Sequence, residues 1–115
     1  MLWTRLLIGA RTIRWMIDFG VVDRAAVEAA SDAFAAAWPR VSKRARRMER
    51  AEACGYVLSH AASDLRTAVD AQMACCSAPE WARDKLTERA RERLLELALA
   101  ELASLAALND LARAA

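Results

Sequence analysis

The chain has 115 residues, which fits a single domain covering residues 1–115. Hydrophobic residues make up 57% of it, yet it has only one tyrosine and two phenylalanines, so there are too few strand-forming residues for a sandwich, a barrel or a Rossmann fold. The 17 basic and 15 acidic residues give a net charge of +2, which by itself does not indicate a nucleic-acid binder. We therefore expect an all-α helical bundle of four to five helices, with long helices in its second half.

The first predicted helix runs from Leu2 or Trp3 to Phe19, and Gly20 is expected to end it in the left-handed conformation. One broad face of this helix is apolar and could pack on a core. A second apolar stripe lies on the far side and is formed by Ile8, Trp15 and Phe19. A second stripe needs another layer of the fold, a partner chain or a membrane surface to cover it.

The second predicted helix runs from Arg24 to about Trp38, with Asp23 as its cap. Pro39 is expected to end it, because proline lacks an amide donor and disfavours helix at the preceding residue. The apolar residues of this helix recur at helical spacing and predict its buried stripe, which comprises Val27, Ala30, Phe34, Ala37 and Trp38.

After Pro39, apolar residues from Val41 to Cys76 fall near helical spacing and predict one long helix. Gly55 would lie inside that helix, where glycine is unfavourable by about 1 kcal/mol relative to alanine. We interpret Gly55 as either a break in the helix or a point where another helix crosses closely.

The segment from Ser77 to Glu80 predicts the start of the last helix, with Ser77 as its cap and Pro79 in its first turn. From Leu94 onward, leucines cover about half of the helix circumference, more than one neighbouring helix requires. We therefore expect this chain to form a homodimer, with an oligomer interface at Leu95, Leu99 and Leu102.

The most distinctive feature of the sequence is a run of basic residues between positions 40 and 50. On a single helix these side chains would occupy an arc of about 160° and present one cationic face, opposite Val41, Ala45 and Met48. Such a face could be a solvated helix surface, or it could bind an acidic protein or phosphate groups. The residues of the run are Arg40, Lys43, Arg44, Arg46, Arg47 and Arg50.

No pattern in the sequence predicts a metal site, a cofactor or a catalytic centre. Cys54, Cys75 and Cys76 are an odd number of cysteines, and they suggest free thiols in a reducing cytoplasm. His60 and Asp64 are one helical turn apart, a spacing that fits an ordinary hydrogen bond better than a metal site. Because phosphate-binding loops and catalytic motifs are absent from the sequence, we do not expect an enzyme.

These patterns favour a non-enzymatic protein-binding module that binds a larger assembly through the basic run and the stripe formed by Ile8, Trp15 and Phe19. Small helical proteins of this kind include adaptors and phage-borne or mobile-element inhibitors of host defence, such as anti-CRISPR proteins; this expectation comes from size and composition, not from a resemblance. One alternative is a nucleic-acid-binding helical dimer that uses the basic run. Another, less favoured, is a peripheral membrane protein anchored by the first helix.

Overall fold

The computed structural model describes residues 19–114, apart from the side chains of residues 19, 106 and 109. The first predicted helix, with Ile8 and Trp15, lies outside the described residues, as does the Phe19 side chain. The described part of the chain is all-α. Its helices are α1 (Phe19–Ala45), α2 (Arg50–His60), α3 (Ala62–Cys75) and α4 (Arg83–Ala114), with a short 3-10 helix at Glu80–Ala82.

The four α-helices pack together in one bundle. Helices α2 and α3 follow one another and run back along α1, because Val57 packs near Val41 while Met73 packs with the first half of α1. Helix α4 then runs parallel to α1: Arg89 of α4 pairs with Asp23 near the start of α1, and Ala98 packs near its end. Helix α1 therefore contacts all three other helices.

Helix α1 is longer than predicted at both ends. Gly20 lies inside it, and no glycine in the described range has a positive φ, so the expected left-handed stop is wrong. Pro39 also lies inside α1, although a proline in a helix interior costs about 3 kcal/mol. Ala37 and Val41 are buried on either side of Pro39, so packing against the other helices holds the chain helical through it.

The long middle helix predicted from Val41 to Cys76 is wrong, because the chain turns at residues 46–49 and again bends at Ala61. Gly55 is not the break: it lies within α2, and a Cβ atom built there would meet nothing within 4 Å. Neither a break nor a close helix crossing therefore explains this glycine.

The last helix begins near the predicted place by a different mechanism. Ser77 does not cap it; with φ at 52°, Ser77 is the left-handed residue that ends α3. The amide of Ala78 donates to the carbonyl of Met73 at 3.0 Å, which is the long bond of a Schellman motif. The 3-10 helix then starts after Pro79, without a side-chain cap, and leads directly into α4.

Small residues dominate the core, so the helices approach closely. Val27 is 42% exposed, so the expectation that it is buried is wrong, and Trp81 is 53% exposed. Phe34 and Trp38 are half-buried and stack on each other with ring centroids 5.2 Å apart. The α1 face that packs on α3 and α4 is formed mainly by alanine, at positions Ala25, Ala26, Ala29, Ala30, Ala33 and Ala37.

Candidate binding surface

The basic run does not form one helix face. Arg40, Lys43 and Arg44 lie in the last turns of α1, Arg46 and Arg47 lie in the turn, and Arg50 is the first residue of α2. The predicted continuous arc is therefore wrong, because the chain reverses direction inside the run. The structure instead gathers these side chains around the corner between α1 and α2.

Arg40 is held away from that corner by an acidic partner. Its Nη2 atom donates to Oδ2 of Asp64 at 2.6 Å, and its Nη1 atom donates to the carbonyl of Ala36 at 3.1 Å. The hydrogen bond and the charge of Asp64 raise the pKa of the Arg40 guanidinium. Arg40 therefore ties α1 to the first turn of α3 and is the least available member of the basic run.

The other five members have no carboxylate within ion-pair distance among the described residues. Arg44 lies over the ring of Tyr56, with 5.9 Å from its Cζ atom to the ring centroid. We call these five side chains the basic corner. The eight residues 43–50 carry five positive charges and one negative charge, that of Glu49. The members are Lys43, Arg44, Arg46, Arg47 and Arg50.

The dipole of α1 favours the cations at the basic corner, whereas a single helix starting near Pro39 would not. A helix starting near Pro39 would have placed the cations at its positive end, an unfavourable position. In the structure Lys43 and Arg44 lie in the last turn of α1, where the dipole stabilises cations. Only Arg50 remains at a helix start.

A small apolar cluster supports the basic corner from below. Val41, Ala45, Ala53, Val57 and Ala98 are all buried and pack together there. The half-buried side chain of Met48, from the turn itself, packs against this cluster. The backbone under the cations is therefore anchored to three helices, so the cations sit on a fixed scaffold.

Helix α4 continues past the basic corner. Leu102 packs on the apolar cluster at the level of the corner, and the helix extends a further 12 residues, about 18 Å, to Ala114. Beyond Ala98 no described side chain is fully buried. Leu108 and Leu111 are 59% and 67% exposed. We call residues 99–114 the α4 tail; it carries exposed leucines past the level of the basic corner.

The structure separates the residues of the predicted oligomer interface. Leu102 contacts the chain's own apolar cluster, so part of its surface is already covered. Leu95 is half-buried, and Leu99 is 38% exposed. At about 100° per residue, Leu99 lies about 120–180° around α4 from Leu108 and Leu111, so the exposed leucines occupy two opposite faces.

The thiols and the histidine lie apart. Cys54 is buried in α2, Cys75 and Cys76 lie at the end of α3, and all three are free. Burial raises the pKa of the Cys76 thiol, with a further contribution from Cys75. The His60 ring lies against Tyr56 with centroids 4.2 Å apart, and Asp64 pairs with Arg40 instead. Within residues 19–114 no three potential metal ligands cluster together.

No helix in the described range has enough length and apolar character to cross a membrane. No protein-family model, curated protein or solved structure matches the chain. The surface formed by the basic corner and the α4 tail therefore has to be interpreted from its own geometry.

Sequence reasoning found the cations but missed what surrounds them. The Arg40–Asp64 pair joins residues 24 positions apart, and no local spacing rule indicates it. The position of the basic corner relative to the α4 tail depends on where α1 ends. Pro39 predicted an end near Trp38, whereas the helix continues to Ala45. The leucine surplus after Leu94 was the available signal for the tail.

Proposed function

We propose that this chain is a non-enzymatic protein-binding module, which docks on a surface of a larger assembly that is both acidic and apolar. The observation that supports the proposal is that the α4 tail, with its exposed leucines, extends past the level of the basic corner. Cations without internal partners favour an acidic surface and speed association with it. Exposed leucines contribute binding free energy only when a partner removes them from water.

The apolar part of this surface favours a protein over a nucleic acid. Phosphate contacts would occupy the five cations but would leave Leu108 and Leu111 in water. A protein surface with an apolar centre and acidic rim would cover both features at once. A nucleic-acid partner is therefore the alternative that the experiment below distinguishes.

The predicted stripe of Ile8, Trp15 and Phe19 stays a second proposed contact of the module.

Quantitative affinity capture tests the basic corner. We expect Arg46→Glu combined with Arg47→Glu to abolish capture of a protein complex from cells that naturally express the chain, because two attractive contacts become repulsive. Arg89→Glu with Arg93→Glu is the matched control, since it changes the net charge equally at exposed positions of α4 that belong to neither proposed site. Capture that survives the corner variant, or that is lost equally in the control, would remove the basic corner from the proposal.

We also propose that the chain forms a homodimer through the α4 face that carries Leu95 and Leu99. That face lies opposite the exposed leucines of the tail, so a second copy and a partner could bind together. Light scattering should give about twice the 12.7 kDa mass of one chain for the wild type. The Leu99→Glu variant should have the mass of a single chain. A monomeric wild-type chain would contradict the dimer and leave the proposed docking surface intact.

A further inference from the structure

A groove of about 910 Å³ lies between α3 and α4. One wall is formed by α2 and α3, from Gly55 to Asp70, and the other by α4, from Arg83 to Leu94. The walls run antiparallel, because Asp70 near the end of α3 pairs with Arg83 at the start of α4. Positions along the two walls can therefore be matched by residue count.

One end of the groove is closed by ion pairs. Arg83 donates to Asp70 and, through Nε at 2.7 Å, to Oε1 of Glu80. Asp84 also lines this end. Arg83 is paired with Asp70 and Glu80 at this end. The carboxylate of Asp84 would repel an anion, so this end does not attract a negatively charged group.

The middle of the groove has cations without carboxylate partners. Arg91 follows Arg83 by eight residues, and Ala62 precedes Asp70 by eight, so Arg91 lies opposite Ala62 on the other wall. Arg66 is four residues from Ala62, which offsets it from Arg91 by about 6 Å along the groove. Neither Arg66 nor Arg91 has a carboxylate within ion-pair distance among the described residues. Two guanidinium groups on opposite walls can therefore approach the same small anion.

Apolar side chains and open space lie beside these two arginines. Leu58 is half-buried in the wall, and Leu65 and Leu94 are buried beneath it. At Gly55 the missing side chain leaves the groove open, with nothing within 4 Å of an added Cβ atom. This arrangement accommodates an apolar body next to the position of the anion.

We propose that the groove binds a small amphipathic monocarboxylate. The carboxylate accepts hydrogen bonds from Arg66 and Arg91, since the guanidinium fork matches its two oxygens. The apolar chain lies over Leu58 toward Gly55. Asp84 disfavours a carboxylate at the opposite end of the groove, so the carboxylate lies at the two arginines. The site is independent of the proposed protein-binding surface.

The test is a titration of the ¹⁵N-labelled full chain with decanoate, followed through the amide signals of Gly55 and Leu58. We expect saturable shifts at both signals. Acetate lacks the apolar body and decanol lacks the charge, so each should bind at least about tenfold more weakly than decanoate. A tenfold loss of affinity corresponds to about 1.4 kcal/mol of binding free energy. The wild-type chain serves for all three titrations.

Three variants locate the contact. Arg66→Gln with Arg91→Gln should weaken decanoate binding at least about tenfold. Arg89→Gln with Arg93→Gln, which removes equal charge from exposed positions of α4 outside the groove lining, should leave decanoate binding unchanged. Gly55→Leu should abolish binding while keeping the fold, because the added side chain fills open space. Equal binding of decanol, unchanged binding in the arginine variant, or shifts confined to the α4 tail would each overturn the proposal.

Discussion

The guanidinium of Arg40 donates to the carboxylate of Asp64 at 2.6 Å, linking the part of α1 that follows Pro39 to the first turn of α3. A second, longer contact joins the same guanidinium to the carbonyl of His60 at 3.5 Å. The pair fixes the last turns of α1 against the bend at Ala61. It also neutralises Arg40, the one member of the basic run that lies outside the basic corner.

Replacing Asp64 by Asn should lower the free energy of unfolding slightly, because the Arg40 side chain is 56% exposed and water screens the pair. Urea denaturation of Asp64→Asn, Arg40→Gln and the double variant gives the coupling between them. Asp32→Asn, on the exposed surface of α1, should have no effect. Strictly additive effects of the two single variants would show that the pair is not formed in solution.

Acid should weaken the junction between α3 and α4. The hydrogen bond from Arg83 holds the pKa of Glu80 below its usual range. A carboxylate with a lowered folded pKa stabilises the fold above its unfolded pKa, and this stabilisation is lost as the pH falls through the folded pKa. The stability difference between wild type and Glu80→Gln should therefore be present at neutral pH and shrink on acidification, as measured by urea denaturation across the acid range. A difference independent of pH would exclude this pair as its source.

Gly55→Ala should stabilise the chain by about 0.5–1 kcal/mol, because it restores helix propensity within α2 without a clash. The matched control is Ala71→Gly at an exposed position within α3, which should destabilise by a similar amount. Chemical denaturation measures both. A destabilised Gly55→Ala chain would mean that the space beside Gly55 is occupied in solution.

The alanine face of α1 should tolerate no larger side chain. Ala29 has no exposed surface, so Ala29→Leu should destabilise the fold by about 1–3 kcal/mol through overpacking. Ala35 is exposed on the same helix, and Ala35→Leu should change stability by less than about 0.5 kcal/mol. Thermal melts of the two variants compare them directly; equal effects would mean that the close helix packing is wrong.

The helical class of this chain follows from its composition, since alanine and leucine leave few strand-forming residues. The helix ends do not follow, because local signals at Gly20, Pro39 and Gly55 are weaker than the packing around them. The alanines on both sides of Pro39 fit closely against two other helices. That gain depends on residues distant in sequence, so no local rule at Pro39 predicts it.

The candidate surface was predictable only in part. The basic residues are evident in the sequence, and the structure leaves Leu108 and Leu111 of the last helix exposed. The homodimer expected from the leucine surplus stays a prediction. The position of the basic corner relative to the α4 tail was not predictable, because it requires α1 to end at Ala45 and α4 to run parallel to α1 past the corner. The partner of Arg40 was equally hidden, since Asp64 lies two helices away along the chain.

A variant of the α4 tail tests most directly whether the partner is a protein that covers both features. Leu108→Gln with Leu111→Gln removes exposed apolar surface and leaves every cation in place. After affinity purification from cells that naturally express the chain, absorbance at protein and nucleic-acid wavelengths and mass spectrometry identify what remains bound. We expect the variant to lose a protein complex that the wild type retains. Retention of nucleic acid alone, equal in both chains, would contradict the protein-binding proposal and favour the nucleic-acid alternative.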